Sequence, residues 1–371
     1  MSSPGLYIHV PFCRSKCPYC GFFSIASSAP IPRWLAALKK EIALYSKSFG
    51  SFDSLYLGGG TPTFLRLMQL EEILDCIFAH FAFEAGTEVT IEANPGDVTI
   101  EMATGLRSLG VNRINLGVQS FDDEALLFMG RRHTAGDAER AFHNLRHSGF
   151  DNIGMDLVYG PEIQSMKRWM KTLDKALSYG PEHLSCYRLT IEKGTAFWRM
   201  KERGLLRSIE EEEEASFFMT TSRVLEAAGY IHYEISNFAR EEAFCSRHNG
   251  KYWDGAPYLG LGPSAHSFQD SRRWWNFRSI KKYCTVLEQG TVPVEGDENL
   301  TEEQKRIESI SLGLRTRQGI KITEIRPDRR LKGVIQTLQD RGYLHVHGEW
   351  LIPTEKGFLV ADGLALQFIS L

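Results

Sequence analysis

Between residues 6 and 190, short β-branched or apolar runs alternate six times with longer segments of helical period. The runs are LYIHV (6–10), SLYLG (54–58), VTIEAN (89–94), RINLGV (113–118), NIGMDLVYG (152–160) and HLSCYRLT (183–190). Each is short and rich in residues that suit a buried strand. The intervening segments, such as PRWLAALKKEIALYSK and KRWMKTLDKALSYG, repeat apolar residues at three- and four-residue spacing, and most of them stop at a glycine. Repeated βα units predict an α/β fold, an open (β/α)6 partial barrel spanning residues 1–208. Ligands of such sheets sit beyond the carboxyl ends of the strands, so polar residues at those ends are the functional candidates.

A chain of 371 residues exceeds what one hydrophobic core supports, and two further parts are expected. Ser208, followed by Glu210 to Glu214, reads as an N-cap and an acidic first turn. Residues 209–298 are rich in aromatics, Gly and His with little periodicity, which predicts a loop-rich cap. Residues 299–371 read helix, helix, hairpin, helix, the order of a winged-helix-like module. RPDRR (326–330) and Lys332 give that module some positive charge, but acidic residues are mixed in and the whole chain carries a net charge of -3. Packing or partner docking is therefore expected of it, and no nucleic acid. MSSPGLYIHVPFC lacks a leader pattern and no uncharged apolar stretch reaches spanning length, so a cytoplasmic chain is expected.

Three of the seven cysteines, Cys13, Cys17 and Cys20, stand at C-x-x-x-C-x-x-C spacing directly behind the first strand. The other four are scattered, and an odd total in a reducing compartment does not read as a disulfide framework. Structural zinc takes four closed ligands, and no fourth Cys or His follows at finger-like spacing. Three thiolates on a 4Fe-4S cubane leave one iron open to an outside ligand. The residues alone leave three readings: that cluster, a zinc completed from a distance, and incidental loop cysteines. Downstream, Gly58 to Gly60 close the second strand without side chains, leaving room for a ligand to approach the backbone. Glu92, Gln119, Arg131 and Asp156 follow at or near later strand ends, where a buried polar group needs a partner.

The cysteine spacing, Tyr19 before the third cysteine, the strand ahead of the loop and the glycine-rich second strand end together resemble the radical S-adenosylmethionine superfamily. The strand-end residues resemble its coproporphyrinogen-oxidase-like branch. That resemblance implies a 4Fe-4S cluster on Cys13, Cys17 and Cys20. It also implies S-adenosyl-L-methionine contacted by Tyr7, Tyr19, Gly59, Gly60, Thr61, Glu92, Gln119, Arg131, Asp156 and Thr190.

Oxygen-independent coproporphyrinogen III dehydrogenases carry a substantial segment ahead of the cluster and a further cysteine two residues past the third. Here twelve residues precede Cys13 and that position is Phe22. The string H-N-x-x-Y-W, formed by His248, Asn249, Tyr252 and Trp253, resembles instead the heme chaperones of HemW type. It implies heme held at those four residues with His248 on the iron, His266 as a weaker second candidate, and apo-hemoprotein clients. Gly21 departs from the aspartate of many relatives, and SRRWWNFRS (271–279) reads as packing at the barrel mouth. A radical enzyme acting on a tetrapyrrole is the alternative. Transient membrane contact and a homodimer are both compatible with the sequence.

Overall fold

The computed structural model describes residues 3–207 and 209–370. The six expected strands are β1 (Gly5–Val10), β2 (Phe52–Gly59), β3 (Phe83–Ala93), β4 (Arg113–Gln119), β5 (Ile153–Tyr159) and β6 (His183–Arg188). They pair in parallel, in chain order. The crossovers carry α1 (Ile31–Tyr45), α2 (Leu67–His80), α3 (Ile100–Ser108), α4 (Asp123–Phe128), α5 (Ala135–His147) and α6 (Met166–Tyr179).

The strands alternate along most of their length, with Val158 an apolar residue on the cavity side. Leu6, Ile8, Val10, Leu55, Leu57, Ile91, Ile114, Leu116, Met155 and Leu184 are buried in one core with helix residues Trp34, Leu38, Leu70, Ile77, Leu106, Leu145 and Trp169. The opposite face carries Tyr7, His9, Ser54, Tyr56, Glu88, Thr90, Glu92, Arg113, Asn115, Asp156, His183 and Ser185. Period-two alternation therefore sends the apolar set toward the helices and the polar set into the lumen.

Residues 209–298 depart from the loop-rich expectation. After α7 (Ala196–Glu202) and α8 (Glu211–Ala227), strands β7 (Ile231–Glu234) and β8 (Asn237–Ala239) extend the sheet beyond β6. On the other edge β9 (Tyr258–Leu261) pairs in parallel with β1, followed by β10 (His266–Gln269), β11 (Arg272–Asn276) and β12 (Val294–Asn299). Between them lie α9 (Arg247–Asp254) and α10 (Ile280–Glu288). Among the described residues twelve strands thus form one sheet, and it runs unbroken past residue 208. Strands of three to six residues are too short to show a period in sequence; the existing sheet edges order them. Ser208 lies outside the described residues, and Glu210 stands at the N-cap of α8.

Glu41 of α1 pins the new edge. Its carboxyl accepts from the Gly262 N–H (2.8 Å), the Asn276 amide (2.6 Å) and the Tyr283 hydroxyl (2.5 Å). The last part of the chain holds α11 (Glu302–Gly313), β13 (Ile320–Lys321), α12 (Leu331–Asp340), β14 (Leu344–His347), β15 (Trp350–Pro353), α13 (Glu355–Leu359) and α14 (Ala361–Ile369). Its small sheet, ordered β13-β15-β14, packs on a separate core of Ile310, Leu314, Leu338, Leu351 and Phe368. Among the described residues no helix is long and apolar enough to cross a membrane.

The end of β2 fixes where the cysteine loop begins. Gly60 N–H donates to Val10 O and Thr61 N–H to Phe12 O, both at 2.8 Å. A Cβ on Gly60 would sit 2.6 Å from Phe12 O and 2.8 Å from Val10 O, both backbone atoms that cannot step aside. Gly59, at φ 106, would drive a Cβ to 2.5 Å from the His9 ring. Chain neighbours, and not only ligand access, demand these glycines. Gly60→Ala is expected to destabilise the protein by about 1–3 kcal/mol in chemical denaturation, the usual range for overpacking.

Candidate functional site

The cysteine loop leaves β1 through Pro11 and Phe12 and is closed by a short bridge, with Cys13 N–H donating to Ile25 O (3.1 Å) and Ile25 N–H to Pro11 O (2.9 Å). Cys20 N–H donates to Cys17 O at 3.1 Å, a tight turn that gathers the last two thiols. All three cysteines are half-buried. Thr61 Oγ1 lies 3.5 Å from Cys13 Sγ and Arg131 Nη1 lies 3.6 Å from Cys17 Sγ, so two of the three sulfurs have a side-chain donor aimed at them. Burial pushes the Cys20 thiol up, and Cys17 and Cys13 add to that push. Three crowded thiols of this kind become thiolates when a cationic centre is bound. Among the described residues no three His, Cys, Asp or Glu side chains converge on a single-ion site.

Beside the loop lies a cavity of about 590 Å³ at the carboxyl ends of the strands. Tyr19, Gly59, Gly60, Thr61, Glu92, Gln119, Arg131, Asp156 and Thr190 all line it. Tyr7 does not. Its ring lies deeper in the lumen, with the hydroxyl 3.1 Å from His9 Nδ1. Gln119 adopts φ 67, a left-handed conformation unusual for a residue with a side chain and of the kind that collects at binding sites. Arg131 is fixed by Nη2 donating to Gly117 O (2.7 Å).

Glu92 is the most constrained group. Oε1 accepts from the Tyr56 hydroxyl (2.9 Å) and Oε2 from the Gly59 N–H (3.1 Å). Burial and the neighbouring Asp156 raise Glu92 to about 7, and burial raises Asp156 to about 6. Two buried carboxyls that resist ionisation suit a ligand bearing hydroxyls and a positive charge. Sequence reading missed Tyr56 and Asn115, which also line the cavity. Asn115 Nδ2 donates to the Tyr56 hydroxyl (3.1 Å), while its Oδ1 and the Arg131 Nε are buried without partners. Both lay within reach of strand alternation: Tyr56 stands two positions before Gly58 and Asn115 four before Gln119.

The heme candidates lie elsewhere. The H-N-x-x-Y-W string is helical, on α9 behind the N-cap Ser246, and the four-residue step puts His248 and Tyr252 on one face. His248 is 1% exposed, with Nδ1 3.3 Å from Ser54 Oγ and Nε2 3.1 Å from the Tyr252 hydroxyl. Both ring nitrogens are engaged by protein partners. Asn249 is half-buried on the adjacent helix face. Only Tyr252 and Trp253 border open space, a groove of about 820 Å³ also lined by Tyr258, Phe268, Arg273, Lys305 and Trp350. His266 is exposed on β10 and stacks on Trp275.

Residues 7–176 match the family model described as the radical SAM superfamily. A protein named heme chaperone HemW from Mycobacterium tuberculosis is 34% identical over 99% of this chain and 95% of its own length. The protein of that name from Bacillus subtilis is 33% identical over 98% of both chains. The chain belongs to the HemW family of radical SAM proteins. The Escherichia coli protein of that name is 36% identical over 72% of this chain and 71% of its own. The solved structure of E. coli coproporphyrinogen III oxidase (HemN) superposes with a TM-score of 0.83 at 22% identity, covering 99% of this chain and 90% of that one. It shares the fold.

The superfamily implies a 4Fe-4S cluster and S-adenosylmethionine, and the residues present fit both. Three thiols share one loop, a cavity adjoins it, and unpartnered polar atoms face that cavity.

Glu92 sets a pH dependence. Its folded value lies above the unfolded one, so the stability carried by the neutral carboxyl is complete below about pH 4 and is lost as pH rises through about 7. In urea denaturation of the apo-protein, Glu92→Gln is expected to reduce the loss of stability between pH 5.5 and 8 by on the order of 1–3 kcal/mol.

Proposed function

We propose that this protein is a heme chaperone, binding heme and handing it to apo-hemoproteins while a 4Fe-4S cluster and S-adenosylmethionine occupy the barrel mouth. The observation that carries the reading is full-length similarity to proteins of that name. Phe22 agrees with it: it stands 69% exposed on the cavity rim, at the position where the coproporphyrinogen dehydrogenases carry a further cysteine.

A cluster on Cys13, Cys17 and Cys20 supplies an open, redox-active iron for the amino and carboxylate groups of S-adenosylmethionine. The protein's own groups do the rest. Thr61 and Arg131 direct donors at the sulfurs of Cys13 and Cys17, which would offset the negative charge of a bound cluster. Glu92, aimed by Tyr56 and Gly59, accepts from ribose hydroxyls or the ammonium group, with Asp156 and Gln119 beside it. Tyr19 and Thr190 close the cavity over the bound molecule.

Heme is assigned to the groove beside Tyr252 and Trp253, where Tyr258, Phe268 and Trp350 provide aromatic walls. Arg273 and Lys305 also line it, Arg273 paired with Glu298 and Glu308 and Lys305 with Glu302, so propionates would have to compete for them. The groove runs between α9 and the last part of the chain, so residues 299–371 are read as a winged-helix-like module for client docking. Residues 1–208 and 209–298 act as core and extension. The cytoplasm is the compartment proposed.

Anaerobic reconstitution with iron and sulfide, followed by heme titration, tests the function. A Soret band saturating near one heme per chain is expected, with transfer to an added apo-hemoprotein and 5′-deoxyadenosine far below one per heme delivered. Trp253→Ala is expected to weaken heme binding about tenfold, the scale of one lost aromatic anchor. Failure of the reconstituted wild type to bind heme removes the chaperone reading. Release of 5′-deoxyadenosine with decarboxylation of coproporphyrinogen III replaces it with the enzyme reading.

A further inference from the structure

His248 sits at the foot of a connected column that ends in the strand-end cavity. Its ring lies nearly parallel to Tyr56, with centroids 5.1 Å apart, and to Tyr7 at 6.0 Å. Tyr56 then donates its hydroxyl to Glu92 (2.9 Å), and Glu92 lines the cavity. The column is anchored from below. Glu88 accepts the backbone N–H groups of Arg247 and His248 at 3.3 Å, Lys251 pairs with Asp53 at 2.6 Å, and Arg113 donates to Phe244 O at 2.7 Å. Asp53 and Ser54 open β2, and Ser54 stands level with Gly5, the first residue of β1, and with Glu88 of β3, so α9 closes the amino-terminal end of the barrel. The helix therefore touches the polar lumen from the end opposite the cysteines.

We propose that His248 and Tyr252 are positioning residues for the S-adenosylmethionine site: they hold the Tyr56 ring, and through it the Glu92 carboxyl, in place. The chemistry is consistent in one tautomer. The Tyr252 hydroxyl donates to Nε2, and Nδ1–H donates to Ser54 Oγ. Burial keeps His248 neutral, lowering it to about 3, so the pair carries no charge into the lumen. The proposal rests on S-adenosylmethionine binding and is independent of where heme sits.

The test uses the reconstituted holoprotein at matched iron content, with S-adenosylmethionine affinity from equilibrium dialysis of labelled ligand and heme from the Soret band. His248→Ala is expected to raise the Kd for S-adenosylmethionine about tenfold, while His248→Phe, which keeps a ring against Tyr56, stays within about threefold. Tyr56→Phe is expected to raise Kd likewise, and adding His248→Ala to it should cost little more, because both act through Glu92. Heme stoichiometry and Soret position are expected to be unchanged in every variant. An unchanged Kd in His248→Ala overturns the proposal, as does loss of the Soret band in both His248 variants while S-adenosylmethionine binding persists. Should His248→Ala not fold, an unchanged Kd in Tyr56→Phe overturns it equally. A wild type that binds S-adenosylmethionine but no heme sinks the chaperone reading and leaves this one to be judged on Kd.

Discussion

The junction between the end of β2 and the start of the cysteine loop is the contact on which the site depends. Two backbone hydrogen bonds, from Gly60 to Val10 and from Thr61 to Phe12, bind the loop to the sheet at its root. They form only because Gly59 and Gly60 carry no side chain to strike His9 and the backbone of Phe12. With the root fixed, Thr61 faces Cys13, and Cys20 lines the cavity beside the loop. A loop with free ends would carry the same cysteines without a defined place for an outside ligand.

Strand alternation supplies the second requirement. Sending leucine, isoleucine and valine to the helix side leaves a lumen of hydroxyl, amide and carboxyl groups, and such groups are costly to bury without partners. The structure partners them with one another. Tyr56 joins Glu92 to Asn115, His183 meets the Tyr233 hydroxyl at 2.7 Å, and α9 seals the far end with His248 and Tyr252. The groups that stay unpartnered next to the cavity, Asn115 Oδ1 and Arg131 Nε, mark where a ligand completes the network.

Much of this was legible in the chain. Six βα repeats gave the barrel because long periodic helices and short apolar strands leave strong patterns, and residues at strand ends fall together by construction. Residues 209–298 were illegible for the opposite reason: strands of three to six residues have no period of their own and take their shape from sheet edges already present. The same gap hid the helical setting of the H-N-x-x-Y-W string. A four-residue step from His248 to Tyr252 is a helical spacing, and the helix buries His248 while Tyr252 stays at the edge of the open groove. Tyr7 shows a milder limit, since its strand was correct but its depth in the lumen could not be read from strand order alone.

The central claim is that three thiolates leave one iron open and that the polar strand ends bring S-adenosylmethionine to it. Electron–nuclear double resonance on the reduced cluster, with S-adenosylmethionine labelled at its amino nitrogen and carboxylate oxygens, measures this directly. The account predicts hyperfine coupling from both labels, as for a molecule chelated to the cluster. Absence of coupling from either label in a fully loaded, reduced protein contradicts it.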